Sequence, residues 1–366
     1  MFPISIVELG TIAASPLGRF APRISQRTLA YTTHQLADLL GGGLPLLSAL
    51  HLLSKQTEQP PLRRVIEALA DAVRDGQSLS EAMAVHPNVF PSLYRSMIRA
   101  GEAGGGLEQA LTRLAELGEH EAELKSRLVN AAAYPIFVLC VAVLMTMFLM
   151  AFVIPKLSLV LIENNQVLPL PTRFLLGVSR LVTRWWWALL LLLAGTGWML
   201  QRWYASPSGK RLVDRALLLM PAVGGLVRKA ETARFTRNLG MMVCQGVPIL
   251  QALTVVTKNL ANAAVQAAVE QIHDAVREGS SLAAALGATN QFPVFVSNMV
   301  AVGEESGTVD AALLKVASAY EREVDRTLRT LTTVLEPVLL LVVGGIVMLI
   351  VLAMLLPVFQ IGLGVQ

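Results

Sequence analysis

Charged residues are scarce in this 366-residue chain. They make up 15% of it, against roughly 25% in ordinary soluble domains, too few to cover the surface of a cytosolic enzyme of this length. Cysteine is scarcer still: Cys140 lies inside an apolar run and Cys244 in a polar, amphipathic region, so no disulfide framework is implied. Runs of like charge are absent and the net charge is only +4, which excludes the basic arm of a nucleic-acid binder, and no nucleic-acid partner is expected. The first thirty residues hold one apolar cluster, Phe2 to Ile6, too short for the core of a secretory signal. Insertion is therefore expected from internal segments. Length alone suggests two or three soluble domains, but hydrophobic residues reach 54% before the 27 glycines are added. The chain reads as a membrane protein.

Three stretches carry no charge at all. Residues 136–154 and 338–356 are each 19 residues long, and at ~1.5 Å per residue each covers about 28 Å, close to the ~30 Å hydrocarbon core of a bilayer. Residues 185–200 form a shorter stretch, but all five tryptophans sit at its ends, Trp185, Trp186 and Trp187 at one and Trp198 and Trp203 with Tyr204 at the other. Indole rings collect at the two membrane interfaces, so this stretch is expected to be a belted span with Arg184 and Arg202 reaching outward. Lys125 and Arg127 precede the first span, Arg202, Lys210, Arg211 and Arg215 follow the second, and Arg322, Arg326 and Arg329 precede the third. Lys156, Arg173, Arg180 and Arg184, between the first two spans, weaken this asymmetry without reversing it. By the positive-inside rule the N-terminus and residues 205–335 face the cytoplasm, and the C-terminus faces outside.

The chain also repeats itself. DAVRDG at 71–76 returns as DAVREG at 274–279, an offset of 203 that also carries Gly43, Pro45, Ala49 and Leu50 onto Gly246, Pro248, Ala252 and Leu253. After a one-residue deletion the offset is 202: Phe90-Pro91 falls on Phe292-Pro293, Gly101-Glu102 on Gly303-Glu304, and Pro135 and Pro155 on Pro337 and Pro357. The first and third spans then coincide. Leu107, Leu111, Leu114, Leu117, Leu124 and Leu128 form a stripe near the 3.6 period, as do Leu313, Ala317, Tyr320, Val324, Leu328 and Leu331. Glycine turns separate the helices, and Ser78-x-x-Glu81 is a capping box. Strand-like alternation is lacking. The expected fold class is all-α: an integral membrane protein with two homologous cytoplasmic helical bundles and three transmembrane helices. Its parts are a lead (1–27), repeat 1 (28–135), span 1 (136–154), an external connection (155–184) holding LPLP at 168–171, span 2 (185–200), repeat 2 (201–337), span 3 (338–356) and an external tail (357–366). Two copies that cross the bilayer in the same sense need the extra crossing that the tryptophan-flanked stretch supplies, so the repeats are parallel.

Motifs of covalent chemistry are missing. GEAGGG at 101–106 has the glycines of a phosphate loop without the following lysine, the second copy reads GEESGT, and Gly209-Lys210 lacks the upstream glycine. Glu102, Glu108 and Glu304 have no ligand-spacing pattern for a cation. His34, His51, His86, His120 and His273 are scattered, and none falls on a histidine of the other copy. No catalytic residue, metal site or cofactor is expected. The spans hold no ionisable group, which counts against a pump or coupled transporter, while Gly195, Gly197, Gly344 and Gly345 suit close helix packing. Gly101, Gly105, Gly303 and Gly307 are expected to make tight helix connections, with Glu102 and Glu304 just ahead of the next helix, where free amides favour a carboxylate.

A duplicated helical domain with a Gly-Glu turn and a Pro-bounded span resembles the inner-membrane platform proteins of bacterial type II secretion and type IV pilus systems, the secretion F family. The resemblance rests on residues 24–50, Arg127-Leu128 leading to Tyr134-Pro135 and Pro155, LPLPTR at 168–173, and Glu336-Pro337 with Gly344 and Pro357, and it covers roughly residues 24–360. It implies a multi-pass scaffold of the bacterial inner membrane and not an enzyme. Its implied partners are a cytoplasmic assembly ATPase, pilins or pseudopilins, other inner-membrane assembly components and further copies of itself. Arg74 and Arg277, in the duplicated turn, are the expected ATPase contacts. The sequence departs from the family in its short lead and in having Gly104 where the second turn has Ser306.

Overall fold

The computed structural model of the chain describes residues 24–153, 170–220 and 223–363. The N-terminal lead as far as residue 23, Pro155, Leu168-Pro169 and the end of the tail lie outside the described residues. Every regular element among those described is helical. The chain divides into two compact units, Met1–Ala122 and Glu123–Gln366.

The first unit contains α1 (Gln26–Gly41), α2 (Leu46–Gln56), α3 (Pro60–Arg74), α4 (Leu79–Ala84), α5 (Ser92–Gly104) and the start of α6 (Leu107–Phe148). Each helix follows from local chemistry. On α3, Leu62, Ile66, Leu69 and Ala70 make one buried stripe, the spacing that puts apolar residues on a single helical face. Its two prolines sit in the first turn, where a missing N–H leaves nothing unpaired. The Ser78 hydroxyl accepts from Glu81 N at 3.2 Å, and the Glu81 carboxylate accepts from Ser78 N at 3.1 Å, so the capping box starts α4. Hydrogen bonding by the Ser78 backbone first, and by its side chain, holds the Glu81 carboxyl below its ordinary value. Leu50, Leu53, Met97, Ile98, Leu111 and Leu114 meet in the core. Gly118 on α6 lies so close to α1 that a Cβ there would stand 2.8 Å from that of Ala30.

The second unit contains the rest of α6, its closing π-helical turn Leu149–Val153, and α7 (Leu170–Tyr204), α8 (Pro207–Leu219), α9 (Val223–Cys244), α10 (Ile249–Asn259), α11 (Ala263–Arg277), α12 (Leu282–Ala288), α13 (Val294–Ser306) and α14 (Val309–Leu363). Helices α10, α11 and α12 begin 203 residues after α2, α3 and α4, and α13 and α14 begin 202 after α5 and α6. Among the described residues every glycine with positive φ belongs to a matched pair, Gly43 with Gly246, Gly76 with Gly279 and Gly105 with Gly307.

The prolines expected to bound the spans do not bound helices. Pro135 lies inside α6, and Pro337 and Pro357 lie inside α14. A proline costs a long helix one internal hydrogen bond but leaves every other turn closed, and closed turns are what an apolar helix in lipid requires. Residues 170–184, expected in an external connection, belong to α7, which leaves helical geometry only at Trp185 (φ −119°, ψ 18°). Pro171 falls in the first turn of α7, a position that initiates helices instead of breaking them.

Among the described residues one helix is long and apolar enough to cross a membrane, the stretch Val309–Leu352 of α14, while Ala132–Phe148 of α6 is apolar but shorter. A Cβ at Gly195, Gly197, Gly344 or Gly345 would meet nothing within 4 Å, so no close packing is made at these glycines among the described residues. Cys140 and Cys244 are both unbridged.

Candidate functional site

The paired Gly-Glu turns are built alike. Gly105 and Gly307 end α5 and α13 in the left-handed conformation, φ 72° and 70°, which residues with a Cβ rarely adopt. The following amides close the turn, Gly106 N onto the Gly101 carbonyl at 2.9 Å and Thr308 N onto that of Gly303 at 2.8 Å. Gly101 and Gly303 allow the next helix to cross closely: a Cβ would stand 2.8 Å from the Ala110 Cβ in the first copy and 2.7 Å from the Ala312 Cβ in the second.

Glu102 and Glu304 do meet free helix amides, but those of a helix earlier in the chain. Glu102 lies within α5, and its carboxylate accepts from Leu79 N at 2.5 Å and Ser80 N at 3.3 Å, at the start of α4. Glu304 accepts from Leu282 N at 2.6 Å and Ala283 N at 3.1 Å, at the start of α12. A carboxylate suits the positive end of a helix and satisfies donors that lack intrahelical partners. The attraction is to the previous helix and not, as expected, to the next. Proximity along the chain does not reveal this, because the donors lie 23 and 22 residues upstream of Glu102 and 22 and 21 residues upstream of Glu304.

Arg74 and Arg277 are exposed, and each is engaged by an acid on its own helix. Arg74 Nη2 lies 2.9 Å from Asp71 Oδ1, and Arg277 Nη2 lies 3.4 Å from Asp274 Oδ1. A further duplicated pair links the first helix of each bundle to its last. His34 Nδ1 faces Glu119 Oε1 at 3.5 Å, and at the matching position Arg237 donates to both oxygens of Glu321, through Nε at 2.9 Å and through Nη2. Within the second unit, α6 and α14 are tied twice where polar sequence gives way to apolar. Arg127 pairs with Asp325, and Tyr134 OH donates to Glu336 Oε1 at 3.3 Å.

One feature of the second bundle escaped the reading of the sequence. A cavity of about 590 Å³ opens among α9, α13 and α14, lined by Gly225, Arg228, Lys229, Pro293, Phe295, Ala319, Tyr320 and Glu323. Lys229 Nζ donates to Glu323 at 2.8 Å, and the Phe295 and Tyr320 rings lie 6.4 Å apart. Tyr320 occupies the register position of Gly118, where α1 packs against α6. The signal was a glycine-to-tyrosine difference between copies, which a search for identities passes over.

The family model for type II secretion system (T2SS), protein F, matches the chain twice, over residues 32–155 and 235–357, segments that begin 203 residues apart and end 202 apart. A type IV pilus assembly protein PilC of Thermus thermophilus is 39% identical over 336 residues, 92% of this chain and 82% of that protein. PilC of Pseudomonas aeruginosa is 33% identical over 93% of this chain and 91% of its own length. The type II secretion system protein F of Vibrio cholerae is 33% identical over 98% of this chain and 89% of its own. Both copies of the bundle, with their Gly-Glu turns and the helices that leave them, lie within these matches, and the chain belongs to the type II secretion system protein F family.

Proposed function

We propose that the chain is the inner-membrane platform of a type II secretion or type IV pilus assembly machine, a scaffold on which other components work. The double match of the family across both bundles carries this reading, and relatives named for both machines point to a role common to the two. In it, residues 136–154, 185–200 and 338–356 cross the membrane, the N-terminus and both bundles are cytoplasmic, and the C-terminus is periplasmic. The exposed apolar side chains of α6, α7 and α14, such as Phe137, Leu191, Trp198 and Leu341, support this arrangement. The partners are a cytoplasmic assembly ATPase, pilins or pseudopilins and further copies of the chain. Arg74 and Arg277 contribute to ATPase docking from the surface of each bundle.

Deletion of the gene tests the platform role. Surface filaments or secretion should disappear while the ATPase persists, and a deletion strain that retains both activities overturns the reading. The docking residues are tested by Arg74→Glu with Arg277→Glu. Co-purification with the ATPase is expected to fall, and unchanged co-purification removes these arginines from the contact.

A further inference from the structure

Helix α8 is built inside out for a soluble protein. Its polar Asp214 is 2% exposed. The Asp214 Oδ2 accepts from Ala263 N at 2.8 Å, its backbone carbonyl accepts from Asn262 Nδ2 at 3.2 Å, and Tyr204 OH donates to Oδ1 at 3.4 Å. The opposite face presents Leu212, 60% exposed, and Leu219, 77% exposed, with Arg215 and Ala216 between them and the exposed Met220 just beyond. Leu212, Ala216 and Leu219 fall at i, i+4 and i+7, one apolar stripe with Arg215 along its edge. A soluble helix turns such a stripe inward; here a buried carboxylate at the start of α11 turns it outward.

The corner that delivers α8 is equally defined. Ser206 caps the helix, its hydroxyl accepting from Gly209 N at 3.1 Å and donating to the Trp203 carbonyl at 2.6 Å. A Cβ at Gly209 would stand 2.0 Å from that same carbonyl, so the turn from α7 into α8 is as tight as backbone allows. The corner therefore sits at the Trp198, Trp203 and Tyr204 cluster, the aromatic belt of the proposed second span. Arg202 lies over the Trp198 ring at 5.8 Å. From residue 201 to 230 the only acidic side chain is the buried Asp214, while Arg202, Lys210, Arg211, Arg215, Arg228 and Lys229 are basic.

An outward apolar stripe, flanking arginines and no exposed acid, joined by a tight corner to an aromatic belt, fit one surface. We propose that α8 lies in the cytoplasmic headgroup layer, with Leu212 and Leu219 in the acyl boundary and Arg202, Arg211 and Arg215 against the phosphates of anionic phospholipids. Amphipathic helices bind such surfaces by apolar burial together with attraction to anionic lipid. The inference rests on the proposed topology, in which α7 reaches the cytoplasm at Arg202. It gives the second bundle a fixed seat on the bilayer, which α11 holds through Asp214.

The test uses the full chain with Cys140 and Cys244 replaced by serine and a nitroxide on Leu212→Cys or Leu219→Cys. It is reconstituted in nanodiscs of phosphatidylcholine with or without phosphatidylglycerol. In the anionic discs both labels should be shielded from a water-soluble relaxant and reached by a lipid-soluble one. Arg211→Glu with Arg215→Glu should lower the shielded-to-exposed ratio by about fivefold or more per arginine, the factor that ~1 kcal/mol per basic residue near an anionic surface implies. Labels equally water-exposed in both lipids overturn the placement of α8, and shielding indifferent to lipid charge and to the glutamates overturns the headgroup contact. A separate Ala205→Cys is labelled from either side of the membrane. Labelling from outside overturns the topology and the inference with it, whereas cytoplasmic labelling with a water-exposed Leu212→Cys overturns the inference alone.

Discussion

Glu102 and Glu304 each hold a short helix from a distance, and their energetic weight follows from what they satisfy. Hydrogen bonds from buried donors to a charged group contribute about 1.5–3 kcal/mol. Glu304→Gln removes the charge and turns one acceptor into a donor facing Leu282 N or Ala283 N, so it is expected to cost about 1–3 kcal/mol in denaturant unfolding and to speed hydrogen exchange at those two amides. Exchange unchanged at 282–283 would contradict this role. Tyr94 acts in another way. Burial pushes its phenol up to about 12, because the buried ring favours the neutral form. The stability this represents is complete below about pH 10 and is lost as pH rises from there through 12, amounting to roughly 2–3 kcal/mol. Tyr94→Phe should flatten the pH dependence of unfolding in the first bundle over that interval. Of these two residues, the sequence marked Glu102 by its repetition but not its partner. Tyr94 carries no local mark, since its state depends on helices that pack over it.

Glycine and proline made most helix limits legible, because Gly43, Gly76 and Gly105 supply conformations that no other residue takes easily. The same punctuation misled at Pro135 and Pro337, where apolar sequence continues on the far side and the helix continues with it. The length of α6 and α14 is thus fixed by the polar-to-apolar transition being crossed, not marked, by proline. The ties between these two helices were invisible beforehand, since Arg127 and Asp325 lie 198 residues apart. An exposed pair of this kind contributes about 1 kcal/mol or less, so its effect should be local. Arg127→Asp is expected to reduce disulfide formation in a Tyr134→Cys, Glu336→Cys chain, and adding Asp325→Arg should restore it. Failure of the charge swap to restore cross-linking would show that the pair does not hold the helices together.

The molecule is one plan executed twice with different surfaces. Register alone identified the plan: the first copy could be laid on the second from residue 43 to residue 155 with one deletion. What register could not supply was the surroundings of each difference, as with Gly118, which packs against Ala30, and Tyr320, which lines a cavity. Because each unit has its own core, damage should stay where it is made. Gly101→Ala forces a Cβ against Ala110 and should cost about 1–3 kcal/mol, raising hydrogen exchange across residues 26–118 while leaving 249–317 unchanged. Gly303→Ala should do the reverse, and Ala312→Gly should relieve it. Spread of either effect through both regions would mean that the bundles unfold as one.

Pro135 in α6 and Pro337 in α14 carry a last implication. Each deprives one carbonyl, that of Ala131 or Thr333, of the amide that would close its turn. Both long helices are therefore pliant at the same level, beside the Tyr134 and Glu336 bond. Bending strain gathers at that level, so a push along either helix is met first by a yielding joint.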